Sequence, residues 1–134
     1  MTLHGIQKAR ISPGDLVAVL GCGALGIFAI QLAKLLGAGT VVASDVVESK
    51  LKSAKEAGAD VVVDAKKGDT VRQIEELFCK RMPDVVVEAA GFGITQEQSV
   101  RLAKKQGKVL FLGTSHQDVV FPPVTFEKII RNEL

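Results

Sequence analysis

The run Gly21-Cys22-Gly23-Ala24-Leu25-Gly26 sets three glycines at the spacing G-x-G-x-x-G. In a chain with 13 glycines that spacing alone is a weak signal, so its setting has to decide. An apolar run, Leu16-Val17-Ala18-Val19-Leu20, leads into it and a helical pattern leads out. In a strand–turn–helix of this kind Gly21 permits the tight turn and Gly23 lets the backbone approach a pyrophosphate. Gly26 brings the helix close to the sheet. The free N–H groups of the first helical turn, Ala24 and Leu25 among them, and the positive end of the helix dipole then face the phosphates.

A second residue belongs to the same chemistry. Asp45 follows the apolar run Thr40-Val41-Val42-Ala43-Ser44 and stands 19 residues after Gly26. A carboxylate there can accept hydrogen bonds from both hydroxyls of an adenosine ribose. It also repels a ribose phosphate: two like charges about 4 Å apart cost about 4 kcal/mol at an effective dielectric near 20. Val46 and Val47 come next, so no arginine offsets the repulsion. The expected ligand is NAD rather than NADP. Taken singly, the glycines also suit an ordinary strand–helix connection and Asp45 a surface turn; the combination favours the dinucleotide.

Nothing comparable points to a metal or a catalytic group. His4 and His116 are the only histidines, and neither has Cys, Asp or Glu at ligand spacing. Cys22 and Cys79 lie far apart, and two reduced, packed thiols are expected. No residue is assigned to catalysis or to metal.

The elements that must position these residues alternate along the whole chain. A turn at Ser12-Pro13-Gly14-Asp15 opens the first strand. A helix from Leu25 to Leu36 follows, with Leu25, Phe28, Ala29, Leu32 and Leu36 on one face and Gly37 as its stop. After the second strand come a helix near Glu48–Ala57 stopped by Gly58, and a third strand at Val61-Val62-Val63. Thr70 and Gln73 have capping-box spacing, predicting a helix over 71–81 buried through Ile74, Leu77 and Phe78. Pro83 breaks it before a fourth strand, Asp84-Val85-Val86-Val87-Glu88. Thr95 and Gln98 repeat the spacing ahead of a helix ending near Gln106-Gly107. Lys108-Val109-Leu110-Phe111-Leu112 is the fifth strand, and Phe126, Ile129, Ile130 and Leu134 line a last helix. This rhythm predicts an α/β fold of Rossmann type, a doubly wound parallel sheet in the order 3-2-1-4-5 with a crevice between strands 1 and 4. A sixth strand is expected to be cut off after the last helix.

Composition agrees with a single globular domain over residues 1–134, 47% hydrophobic and 24% charged. Only 4% is aromatic, so Val, Leu, Ile and Ala must build the core. A net charge of +2 argues against nucleic acid or an anionic membrane as partner. The pairs Lys66-Lys67 and Lys104-Lys105 read as solvated surface. No run reaches the roughly 18 apolar residues of a membrane span, and no signal peptide is legible at the start, so a cytoplasmic setting is expected.

Four segments carry a resemblance. They are 12–19 before the glycines, Gln31-Leu32-Ala33-Lys34-Leu35-Leu36-Gly37-Ala38 on the helix, Ala57-Gly58-Ala59-Asp60 before the third strand, and 84–91, ending Glu88-Ala89-Ala90-Gly91. Together they are similar to the cofactor domain of the medium-chain, zinc-dependent alcohol and polyol dehydrogenases. The tail from Phe126 through Arg131, Asn132 and Glu133 to Leu134 resembles the galactitol-1-phosphate and sorbitol dehydrogenase branch. The resemblance implies that Lys50 reaches the adenosine ribose and that Ala89, Ala90 and Gly91 line the cleft. It implies that Leu112, Gly113 and Thr114 offer backbone groups to the nicotinamide. It also implies a larger enzyme whose catalytic zinc is bound by residues outside this chain, so that the chain alone is expected to be inactive. Val119-Val120-Phe121, held extended by Pro122-Pro123, is the expected homodimer contact, as family members pair through a strand in this region. Two other readings stay open: a nucleotide-sensing regulatory module, and the cofactor domain of a zinc-free quinone reductase.

Overall fold

The computed structural model describes residues 2–114 and 118–131. His116 and Gln117, and Asn132, Glu133 and Leu134 of the tail, lie outside the described residues. The helices are α1 (Thr2–Ala9), α2 (Ala24–Leu35), α3 (Glu48–Ala57), α4 (Thr70–Leu77), α5 (Gly93–Leu102) and α6 (Pro123–Arg131). The strands are β1 (Leu16–Leu20), β2 (Thr40–Asp45), β3 (Val61–Asp64), β4 (Val85–Glu88) and β5 (Lys108–Phe111). All five pair in parallel, in the order β3-β2-β1-β4-β5, as the sequence pattern predicts.

Alternation along each strand divides the core between the two faces of the sheet. Val17, Val19, Val41, Val85 and Val87 pack with Ile6 of α1, Ala29, Ile30 and Ala33 of α2, and Ala54 of α3. Leu16, Ala18, Leu20, Val42 and Val86 pack on the other face with Val71 and Ile74 of α4 and Leu102 of α5. Every residue of β1 is buried, as a central parallel strand covered on both faces must be. Each fully buried Val or Leu contributes on the order of 1.5–3 kcal/mol, so β1 and its neighbours form the firm base of the sheet.

Two aspartates fix the starts of the strands. The Asp84 carboxylate accepts from the Leu16 N–H at 2.7 Å, and that of Asp60 accepts from the Val41 N–H at 2.8 Å. Each residue sits just before one strand and satisfies the first free donor of the neighbouring one. Lys104 and Arg81 pair with Asp84, and Lys34 with Asp60.

The helices depart from the sequence reading in their caps and faces. Asp69, not Thr70, caps α4 by accepting from the Val71 N–H, while the Gln73 amide donates to the carbonyls of Asp64 and Gly68. The helix ends at Leu77, which is 52% exposed. Helix α5 starts two residues before Thr95, from Phe92 as cap, and stops at Leu102 rather than near Gly107. In α2 the residues turned inward are Gly26, Ala29, Ile30 and Ala33; Leu25, Phe28 and Leu36 are exposed. The small side chains face the sheet because they let the helix lie close to it. In α6 Thr125 is buried, whereas Phe126 and Ile130 are exposed. Val119-Val120-Phe121 forms no strand, and Val119 instead passes beside Gly93 at the start of α5. Both cysteines are free, but only Cys22 is packed; Cys79 is exposed.

Candidate functional site

Helix α2 leaves β1 on one face of the sheet and α5 leaves β4 on the other, so the chain opens a crevice between the C-terminal ends of β1 and β4. The glycine turn lies at this point. Gly21 has φ +99°, and its N–H donates to Ser44 at 2.9 Å, tying the turn to β2. A Cβ on Gly21 would fall 2.7 Å from the Ala90 nitrogen, and one on Gly26 would fall 1.8 Å from the Gly21 carbonyl oxygen. Around Gly23, by contrast, nothing lies within 4 Å. Gly23 caps α2 without a side-chain hydrogen bond, which leaves the N–H groups of the first turn, at Ala24 and Leu25, without intrahelical partners. Open space and free donors coincide there, which is what an anionic ligand requires.

Asp45 reaches into this turn. Its Oδ2 accepts from the Cys22 N–H at 2.8 Å and its Oδ1 from the Val47 N–H at 2.9 Å. Two of the carboxylate's roughly four lone-pair positions are used, leaving capacity for ribose hydroxyls. Lys50 is exposed in the first turn of α3, close enough for its charge to act on Cys22. The Cys22 thiol donates to the Ser44 carbonyl. Burial, with the Asp45 charge added and Lys50 opposing, pushes the thiol up to about 12. It stays protonated near neutrality and is no nucleophile there.

The ends of β4 and β5 meet on the other side of the crevice. Ala89, Ala90 and Gly91 are half-buried, Leu112 is buried, Gly113 half-buried and Thr114 exposed. Leu112 and Gly113 both donate to the Glu88 carbonyl. Gly91, at φ +78°, lies so close to Thr114 that a Cβ would stand 2.7 Å from its carbonyl oxygen. The thirteen residues expected at a cofactor site therefore fall at the C-terminal strand ends, in the turns that follow them, or, for Ala24, Leu25, Gly26 and Lys50, in the first turns of α2 and α3.

Glu88 is the site residue that sequence reasoning missed. It is 0% exposed, and its Oε1 accepts from the Ala90 N–H, the Gly91 N–H and the Thr95 hydroxyl, each at 2.8 Å. The one available signal was an acid ending a run of three valines in a strand expected to be buried. A groove of about 1130 Å³, lined in part by Lys52, Lys55, Val63, Asp64 and Lys67, opens beside the edge strand β3. It includes no residue of the glycine turn.

Among the described residues no group of three His, Cys, Asp or Glu is placed to hold a metal, and no helix is long and apolar enough to cross a membrane. His4 is exposed on α1.

Known proteins are similar to this chain along nearly its whole length. A galactitol 1-phosphate 5-dehydrogenase of Escherichia coli K12 is 33% identical over 132 residues, covering 98% of this chain and 38% of its own length. A sorbitol dehydrogenase of Bombyx mori is 33% identical over 125 residues, covering 91% of this chain and 36% of its own. The structure of a zinc-binding dehydrogenase from Sinorhizobium meliloti 1021 bound to NADP superposes with a TM-score of 0.90 at 39% identity, over 99% of this chain and 39% of that one. The chain thus spans little more than a third of the length of these relatives. The sequence profile described as zinc-binding dehydrogenase matches residues 24–134, and with the crevice and its glycine turn it makes the chain a member of that family.

Proposed function

We propose that the chain binds NAD and forms the cofactor-binding part of a zinc-dependent dehydrogenase acting on a sugar alcohol or another secondary alcohol. The intact enzyme would move a hydride between C4 of the nicotinamide and the alcohol carbon. Zinc, held by residues outside this chain, would supply Lewis-acid polarisation of the alcohol oxygen. Sorbitol and galactitol 1-phosphate dehydrogenases among the relatives support the substrate class. A sensing module and a zinc-free quinone reductase are not favoured, because the matching family and relatives are zinc-type dehydrogenases. Gly21, Gly23, Ala24, Leu25 and Gly26 would cradle the pyrophosphate, with Asp45 and Lys50 at the adenosine ribose. Ala89 to Gly91 and Leu112 to Thr114 would flank the nicotinamide half. A cytoplasmic setting suits the two free thiols. A homodimer through Val119, Val120 and Phe121 is part of the same reading, supported by the 78% exposure of Val120.

The observation that carries the cofactor choice is the Asp45 carboxylate, hydrogen-bonded into the glycine turn at the end of β2. An NADP phosphate would have to sit against it. The NADP in the Sinorhizobium relative belongs to that protein and makes the test worthwhile. Titration calorimetry on the 134-residue chain should find NAD bound at least about tenfold more tightly than NADP, since like charges this close cost one or more kcal/mol. Asp45→Ala should narrow the gap. Equal or tighter NADP binding by the unaltered chain would refute the choice.

A further inference from the structure

Glu88 ends β4 at the floor of the crevice, paired in register with Leu20 of β1 and Phe111 of β5. The carboxyl group is shut away from solvent, yet its two oxygens are used unequally. Oε1 takes three donors, the N–H groups of Ala90 and Gly91 and the Thr95 hydroxyl. Oε2 is buried with no hydrogen-bond partner. Burying a carboxyl group is costly unless hydrogen bonds or a charge partner compensate it, and an oxygen left unpaired adds to the cost.

What it holds is the turn at 89–91. Consecutive N–H groups at Ala90 and Gly91 both point back to one oxygen, which fixes the turn in a single shape. Three glycine contacts converge on that shape. A Cβ on Gly21 would strike Ala90 at 2.7 Å, and one on Gly91 would strike Thr114 at 2.7 Å. One on Gly113 would lie 2.2 Å from the Gly91 nitrogen and 2.8 Å from Glu88 Oε2. The turn is therefore wedged between the phosphate turn after β1 and the end of β5, with tolerances too small for a methyl group. Thr95 adds a tie to α5, its single hydroxyl proton shared between Glu88 Oε1 and the Phe92 carbonyl at 2.9 Å.

We infer that Glu88 is a positioning residue for cofactor binding: it holds the Ala90–Gly91 turn at the height at which the nicotinamide half of the dinucleotide can lie across the ends of β4 and β5. The inference rests on the NAD-binding reading above. It assigns Glu88 no contact with the ligand, and it separates the two halves of the cofactor, since Asp45 and the adenosine side lie across β1 from this turn.

The test compares NAD with 5′-AMP, which carries only the adenosine half, on the 134-residue chain by calorimetry or NMR titration at a temperature well below unfolding. Glu88→Leu should weaken NAD binding by about tenfold, the loss expected when two or three hydrogen bonds that set a turn are removed, and leave AMP within about twofold. Glu88→Gln keeps an acceptor for both N–H groups and should return NAD to within about threefold of the unaltered chain. Should Glu88→Leu fail to fold, Thr95→Val decides: it removes one tie and should weaken NAD by about threefold with AMP unchanged. A general loosening of the fold would not spare AMP. Undiminished NAD binding in the folded Glu88 variant, or in Thr95→Val where that variant decides, overturns the inference while the NAD reading stands. Absence of NAD binding by the unaltered chain overturns both.

Discussion

Gly23 and Gly26 are separated by two residues, and the structure asks different things of them. Gly26 is required by the fold, since a methyl group there would drive into the Gly21 carbonyl. Gly23 has an ordinary negative φ of −76° and free space around it, so the fold does not require it. Substitution by alanine should separate these demands. Gly26→Ala should lower stability by about 3 kcal/mol, the upper part of the overpacking range, as read from chemical denaturation. Gly23→Ala should change stability by less than about 1 kcal/mol, since the stiffer unfolded chain is offset by alanine's poorer fit at the start of α2. It should nevertheless weaken NAD about tenfold, because the methyl group would fill the approach of the pyrophosphate. A Gly23→Ala protein that bound NAD as well as the unaltered chain would remove Gly23 from the proposed site.

Among the elements, the strand starts carry the electrostatics. Burial pushes the Asp84 carboxyl up, but the Lys104 hydrogen bond, the Leu16 N–H and the charges of Lys104 and Arg81 outweigh it and hold the group below its usual range. The stability this confers is complete above the unfolded value near pH 4 and is lost as pH falls through the lower folded value. Asp84→Asn should therefore cost about 1–3 kcal/mol at pH 7, with the difference from the unaltered chain shrinking below about pH 4. A gap independent of pH would show that the charge is not what matters. Sequence and structure part company at the same level. Strand order was legible because buried parallel strands are near-continuous apolar runs, and right-handed crossovers leave few orders, of which 3-2-1-4-5 goes with a glycine turn after the first strand. Helix faces were less so. Periodicity says which side chains share a face of α2, but that helix is apolar everywhere except at Gln31 and Lys34, and the fit of Gly26, Ala29 and Ala33 to the sheet decided which face went inward. Thr95 has the spacing of a cap, yet its hydroxyl is taken by Glu88, a partner seven residues back that no local pattern reveals. For the same reason the positions of the glycine turn and of Asp45 at the ends of their own strands could be read directly. Glu88 could not, since its importance depends on donors that face it only once the turn has formed.

For the whole molecule, one surface remains to be accounted for. Val120, Val124, Phe126 and Ile130 are exposed large apolar residues at the C-terminal side of the chain, and β5 stands at the edge of the sheet. If the proposed homodimer uses this region, the 134-residue chain should sediment as a dimer at micromolar concentration, and Val120→Lys should dissociate it without unfolding it. A chain that sediments as a monomer would refute the dimer. The sheet order also has a consequence in time. The central strand β1 finds β2 soon after it in the chain, but its other neighbour arrives late: Leu16 and Asp84, hydrogen-bonded in the folded state, are 68 residues apart. During synthesis β1, β2 and β3 can assemble first, and one edge of β1 waits, unpaired and apolar, until β4 has emerged. Closing so long a loop before its contacts repay the lost entropy should make the β1–β4 pairing slower than the β1–β2 pairing, and the interval before it a period of exposure to aggregation.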